Sequence, residues 1–118
     1  MNKLLRLVLA IALSLAWFGV SQPVRAAEQH VLCDVGDVTA AGDRIHVYCT
    51  NNLGSGIHYV AVPVANSELA NRVLMLGTAA ITSGKSLTVL FDPADLSGAA
   101  YGCQNSDCRP AIGVTLSN

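Results

Sequence analysis

The sequence predicts a mostly β domain with one helix, preceded by a cleaved export signal. Three observations carry that expectation. Apolar and polar residues alternate in several short runs, one longer run has a helical period, and four cysteines all lie downstream of the signal. Alternation marks half-buried strands, and a period of about 3.6 residues marks an amphipathic helix. An even cysteine count in a small exported domain marks disulfides.

The signal comes first. Lys3 and Arg6 form a basic start, residues 7–20 an apolar run, and Ser21, Gln22 and Pro23 break it. Val24 and Ala26 then occupy the −3 and −1 positions, so cleavage is expected after Ala26. The run is shorter than the ~20 residues of a bilayer span and no stop-transfer pattern follows, so no membrane insertion is expected after cleavage. The domain is residues 27–118, enough for one small core. It retains Arg44, Arg72, Lys85 and Arg109 against eight acidic residues, a net charge of about −4. Four scattered cations on an acidic chain disfavour nucleic acid and anionic lipid as partners. The chain is expected to be exported, periplasmic or secreted.

Residues 29–38 and 44–50 read as two strands around a turn at 40–43. That spacing sets Cys33 opposite Cys49, Val35 opposite Val47 and Asp37 opposite Ile45. Four cysteines allow three pairings. The hairpin favours Cys33–Cys49, which leaves Cys103–Cys108 to close a ring around Gln104, Asn105, Ser106 and Asp107. Loop-closure entropy assigns about 3 kcal/mol to the first bridge and about 2 to the second. A zinc site is the rival use of four cysteines. The absence of a CxxC pair argues against it, and neither metal nor cofactor is expected.

Residues 57–65 read as a third strand, with Val60, Val62 and Val64 on one face. Pro63 cannot donate to a ladder and points to an edge or a bulge. The period then changes. Leu69, Val73, Leu76 and Ala80 form one helical stripe, which Ala70, Leu74, Gly77 and Ile81 widen. Asn66 or Ser67 caps a helix over 67–82, Glu68 suits its first turn, and Gly84 ends it. Gly77 costs roughly 1 kcal/mol of helix propensity, which a close approach to the sheet would explain. Residues 86–91 are a fourth strand with Leu87, Val89 and Phe91 inward. Residues 111–116 are a fifth, with Ile112, Val114 and Leu116 inward. A long polar connection holding the ring lies between them.

Three strands, a helix and two more strands is the element order of the OB-fold, a five-stranded Greek-key barrel. A generic α+β sandwich is the alternative. An OB-fold binds through its second and third strands and through the loops that follow strands one and four. The ring lies in the last of these, where a covalent bridge would lower the ordering cost of binding.

The chain resembles small exported bacterial OB-fold proteins that are similar to the B subunits of A–B toxins, of the subtilase-cytotoxin and typhoid-toxin type. The likeness rests on Cys33 and Cys49 in the first two strands, the helix running into "TSGKSLTV", and the late pair Cys103 and Cys108. It implies a carbohydrate-binding face and a pentameric ring. The chain departs from that pattern in its short stretch between the fourth strand and the late cysteines, in the strand that follows them, and in lacking any Trp beyond the signal.

Catalytic signatures are missing. His30, His46 and His58 have no HExxH spacing, no GxSxG or SxxK is present, and Asp92 and Asp95 share a loop where Asp-Pro reads as a turn start. A non-enzymatic binding protein is therefore expected. Tyr101, Gln104, Asn105, Asp107 and Arg109 are the candidate ligand residues: an aromatic platform, two amides and a charge pair. Arg109 can instead stiffen the loop by pairing with Asp107. Tyr48 and Tyr59 either line the barrel face or support it. The expected partner is a glycan; the alternative is a protein surface bound by a free-standing envelope or secreted factor.

Overall fold

The computed structural model describes residues 27–118; the expected export signal, residues 1–26, lies outside the described residues. Six strands form a mixed sheet: β1 (Gln29–Cys33), β2 (Val35–Ala40), β3 (Arg44–Cys49), β4 (Tyr59–Pro63), β5 (Ser86–Phe91) and β6 (Cys108–Ser117). Their spatial order is β1-β5-β6-β4-β3-β2. Neighbours are antiparallel except for β4 and β6, which run parallel. One α-helix, α1 (Ser67–Ser83), joins β4 to β5, and a short 3-10 helix (Ser97–Tyr101) precedes β6. Among the described residues no helix is long and apolar enough to cross a membrane.

The expected first strand is two strands. It breaks at Asp34: β1 pairs with β5 and β2 pairs with β3. Chain neighbours therefore become the two ends of the sheet, and no ladder joins them. The five-strand closed barrel of the sequence reading is thus replaced by six strands in an open mixed sheet.

Hydrogen bonds outside the ladders, from side chains and from one backbone amide, span the break instead. Asn51 Nδ2 donates to the Leu32 carbonyl at 2.7 Å, and Asn51 Oδ1 accepts from Asp34 N at 2.8 Å. Thr50 N donates to the Asp34 carbonyl at 2.8 Å. Ser86 Oγ holds the Asp34 carboxylate at 2.7 Å. The Cys33–Cys49 disulfide crosses beneath, with both cysteines fully buried.

The bridge matches expectation, but the register that suggested it does not. Val35, not Cys33, sits opposite Cys49, and a bulge between Val35 and Asp37 resets the phase. Val38 therefore turns to the core and Asp37 to solvent. An added residue reverses every following side chain in a strand. Gly36 occupies the bulge under the Tyr48 ring: a Cβ there would lie 2.7 Å from Tyr48 Cδ1.

Elsewhere the core follows the alternation. Ile45, Val47 and Cys49 are buried, as are Leu87, Val89 and Phe91. β4 is shorter than expected and Val64 is exposed. β4 is not an edge either. Pro63 is its last residue and pairs only with Arg44, because the β6 ladder ends at Ala61, so no donor is missed. β6 begins at Cys108, and its ladder skips Ile112 between Gly113 and Ala111, so Ile112 turns outward.

The helix forms where its period and cap place it. Asn66 caps it through Leu69 N, and Gly84 ends it at φ 68°. It packs against β2 through β6. Ala70, Val73, Gly77 and Ala80 face the sheet, whereas Leu74 and Ile81 are exposed. The apolar face is therefore narrower than the wide stripe. Gly77 meets the sheet: a Cβ there would lie 2.6 Å from Val38 Cγ2.

Asn51→Ala is expected to cost about 1–2 kcal/mol, because it leaves the Leu32 carbonyl and Asp34 amide to water alone. Urea unfolding of the oxidised protein checks it. An unchanged midpoint would show that the Asn51 bonds across the break add nothing.

Candidate functional site

Register builds the site. Residues paired across a ladder point to the same face of a sheet. Asp37, Tyr48, Tyr59 and Cys108 therefore form one row across β2, β3, β4 and β6, and Thr39, His46, Ala61 and Pro110 form the next. Val47, Val60 and Val62 fill the opposite, inner face. The outer face carries a chain of rings. His46 meets Tyr59 edge-on at 5.7 Å, Tyr59 meets Tyr48 at 5.1 Å, and Tyr48 meets His58 at 6.2 Å.

Residues 92–107 fold down onto this face rather than standing away from it. Asp92 Oδ1 accepts from Ala94 N, and Asp95 Oδ1 accepts from Ser97 N. Both carboxylates thus brace turns. The 3-10 helix ends at Gly102, whose φ is 86°. The Cys103–Cys108 ring follows, with Cys108 N donating to the Gln104 carbonyl at 2.9 Å. The Asp107 carbonyl accepts from both His58 N and Tyr59 N, which docks the ring onto the start of β4. Ala61, Cys103 and Cys108 are buried together against Tyr59 and Tyr101, a second apolar cluster outside the main core.

A cleft of about 280 Å³ opens where this loop steps down to β3. Arg44, His46, Tyr59, Gly102, Gln104, Asp107 and Cys108 line it. Arg44 Nη1 pairs with Asp43 Oδ1 at 3.0 Å and lies across Gly102. A Cβ on Gly102 would come within 2.7 Å of that nitrogen, a contact the flexible Arg44 side chain can relieve by shifting, so it is the left-handed backbone that calls for glycine there. Burial, and then the Arg44 charge, hold the His46 pKa below its usual value; Asp37 opposes them. His46 is therefore neutral at pH 7 and offers one donor and one acceptor nitrogen. The cleft combines a cation, a carboxylate, an amide, a phenol and a neutral imidazole.

Two of the five residues expected from sequence line this cleft: Gln104 and Asp107. Asn105 is exposed on the ring outside the lining. Tyr101 packs into the second cluster, and burial followed by the Asp95 charge raises its phenol pKa. Arg109 braces the loop, but through backbone carbonyls rather than through Asp107. Its Nε donates to Pro93 O at 2.7 Å, and its Nη1 donates to Asn105 O at 2.7 Å and Cys108 O at 2.6 Å. Tyr59, for which the sequence left open lining the face or supporting it, lines the cleft, and Arg44 and His46 join it although neither was among the expected ligand residues. The outward alternation in "RIHVY" marked the face of His46, but only the pairing of β3, β4 and β6 brings it beside the ring. Among the described residues no group of three or more His, Cys, Asp or Glu is placed to hold a metal ion.

No protein-family model, curated protein or solved structure matches the chain.

Because folded His46 takes up a proton less readily than in the unfolded chain, stability should fall as pH drops below about 6.5 and level off below the folded pKa. His46→Gln should flatten that slope. An NMR titration checks the cause: the His46 ring should titrate at lower pH in the native chain than in concentrated urea, and equal midpoints would refute it. Arg109→Ala should destabilise by about 2 kcal/mol, and Arg109→Lys should not restore it, because one ammonium cannot reach carbonyls on both sides. Thermal unfolding decides; full rescue by Lys would show that charge alone matters.

Proposed function

We propose that this protein is an exported, non-enzymatic binding module that takes a glycan in the cleft between β3–β4 and the ring loop. The observation that carries the reading is the make-up of the cleft. Sugars present C–H faces and a rim of hydroxyls, and they are held by aromatic rings flanked by planar polar groups. Tyr59 and His46 supply the rings; Arg44, Gln104 and Asp107 supply the donors and acceptors. Two disulfides fit an oxidising compartment outside the cytoplasm.

Within the same reading, the open sheet is a variant of the OB barrel, left unclosed where its first strand breaks at Asp34. Counting β1 and β2 as one strand restores five. It also makes both ends of the sheet the same strand, as closure requires. The cleft then falls on strands two and three beside the loop that follows strand four, where OB-folds bind ligands. Likeness to the toxin B subunits adds ring assembly as a further element of the proposal.

A second reading, a free-standing protein-binding factor with no glycan ligand, draws on one observation. Leu74, Met75 and Ile81 are exposed on α1, with Met75 at 63%. Exposed apolar groups of this size mark contact surfaces when they are contiguous.

A glycan array probed with the oxidised protein tests the first reading. Binding is expected, and Gln104→Ala or Asp107→Ala should weaken it about tenfold while circular dichroism stays unchanged. Asn105→Ala should retain it. Silence across the array with folded protein would overturn the glycan reading. Light scattering separates the assemblies: a pentamer supports the toxin-like form, and a monomer that binds no glycan supports the protein-binding factor.

A further inference from the structure

The cleft accounts for only one end of the outer-face ring chain. Tyr48 and His58 lie beyond it, neither of them lining it. Their rings are tilted by 33° from one another at 6.2 Å, and both residues are partly exposed. The Tyr48 ring is seated. The bulge at Gly36 brings the backbone of β2 against one side of it, where a Cβ would clash. His58 is fixed as well, its Nδ1 lying 3.0 Å from the Cys49 carbonyl. A carbonyl only accepts, so Nδ1 is the donor in this contact.

This pair has a polar border. Cross-strand pairing sets the exposed Asp37 beside Tyr48 and the exposed Thr39 beside His46. Carboxylate and hydroxyl therefore stand along the β2 side of the rings, as Gln104 and Asp107 stand along the loop side of the cleft. Tyr59 belongs to both groups and is 5.1 Å from Tyr48. The arrangement repeats the chemistry of the cleft one ring further along the sheet, on the side of Tyr59 towards β2.

We propose that Tyr48, His58 and Asp37 form a second sugar subsite continuous with the cleft, so that the ligand is an oligosaccharide of at least two residues rather than a single terminal sugar. The proposal rests on the glycan reading of the cleft. The terminal residue sits among Arg44, His46, Tyr59, Gln104 and Asp107. The next residue lays its C–H face on Tyr48 and directs ring hydroxyls to Asp37. Stacking on a ring already held against backbone adds affinity at small ordering cost.

Matched monosaccharide and disaccharide probes test it: glucose with cellobiose, galactose with lactose, and N-acetylglucosamine with chitobiose, each titrated by calorimetry beside an array of longer glycans. The quantity read is the affinity ratio of the longer ligand to its terminal monosaccharide. It is expected to be about ten in the native protein and to fall towards one in Tyr48→Leu and in Asp37→Ala. Tyr48→Phe should keep most of it. Tyr48 also covers Gly36, so circular dichroism accompanies each variant, and the exposed Asp37→Ala carries the test where Tyr48→Leu does not fold. A native ratio near one, or a ratio that neither variant changes, overturns the second subsite and leaves the cleft standing. No binding of any probe or array glycan overturns the cleft reading and the subsite together.

Discussion

The architecture depends on how the chain passes Asp34. On one side β1 joins β5; on the other β2 joins β3; and the two strands end at opposite ends of one sheet. A backbone that changes partners within one residue leaves polar groups with no ladder, and such groups are costly unless something else satisfies them. Here Asn51 serves the Leu32 carbonyl and the Asp34 amide, and Thr50 serves the Asp34 carbonyl. The Cys33–Cys49 bridge ties the same two segments from the core side. The disulfide limits how far they can part, and the hydrogen bonds set their relative position.

The curvature that follows gives the sheet unlike faces. The inner one is filled by Val47, Val60, Val62, Val89 and Phe91 and is covered by α1. The outer one carries the rings and receives the loop before β6. The two disulfides accordingly do different work. One binds strand ends together inside the main core. The other closes a short ring whose carbonyl at Asp107 extends the hydrogen bonding of β4 outward, beside the cleft. Arg109 completes that ring by gathering carbonyls from Pro93, Asn105 and Cys108. A loop held in this way would lose little entropy on meeting a ligand.

Much of this was legible in the residues, and what was not has a common cause. The helix announced itself through its period, the Asn66 cap and the Gly84 stop, and the inward face of β5 through strict alternation. Both disulfides match the expected pairing, although the register that suggested the first is not the one the strands adopt. The bulges at Gly36 and Ile112 did not show, because one extra residue leaves composition unchanged while reversing everything after it. The split of the first strand was hidden for a related reason: Val31, Cys33 and Val35 alternate smoothly across Asp34, and nothing local says that the partner changes. The site was half legible. Gln104 and Asp107 lie inside the ring that drew attention, whereas Arg44, His46 and Tyr59 become neighbours of it only through the parallel pairing of β4 with β6. Arg109 looked like a ligand group because a lone cation beside a cysteine ring has the same appearance in sequence whether it faces outward or braces carbonyls.

Native-state hydrogen exchange at the Asp34 and Thr50 amides bears most directly on the claim that the break at Asp34 is held shut. Neither amide belongs to a strand ladder, yet both are bonded across the break. If that contact organises the sheet, they exchange only when the whole domain unfolds, with protection equal to that of Val47 and Val89 in the core strands. Exchange as fast as at the exposed turn residue Ser55 would show that the break opens on its own, and the account would fail.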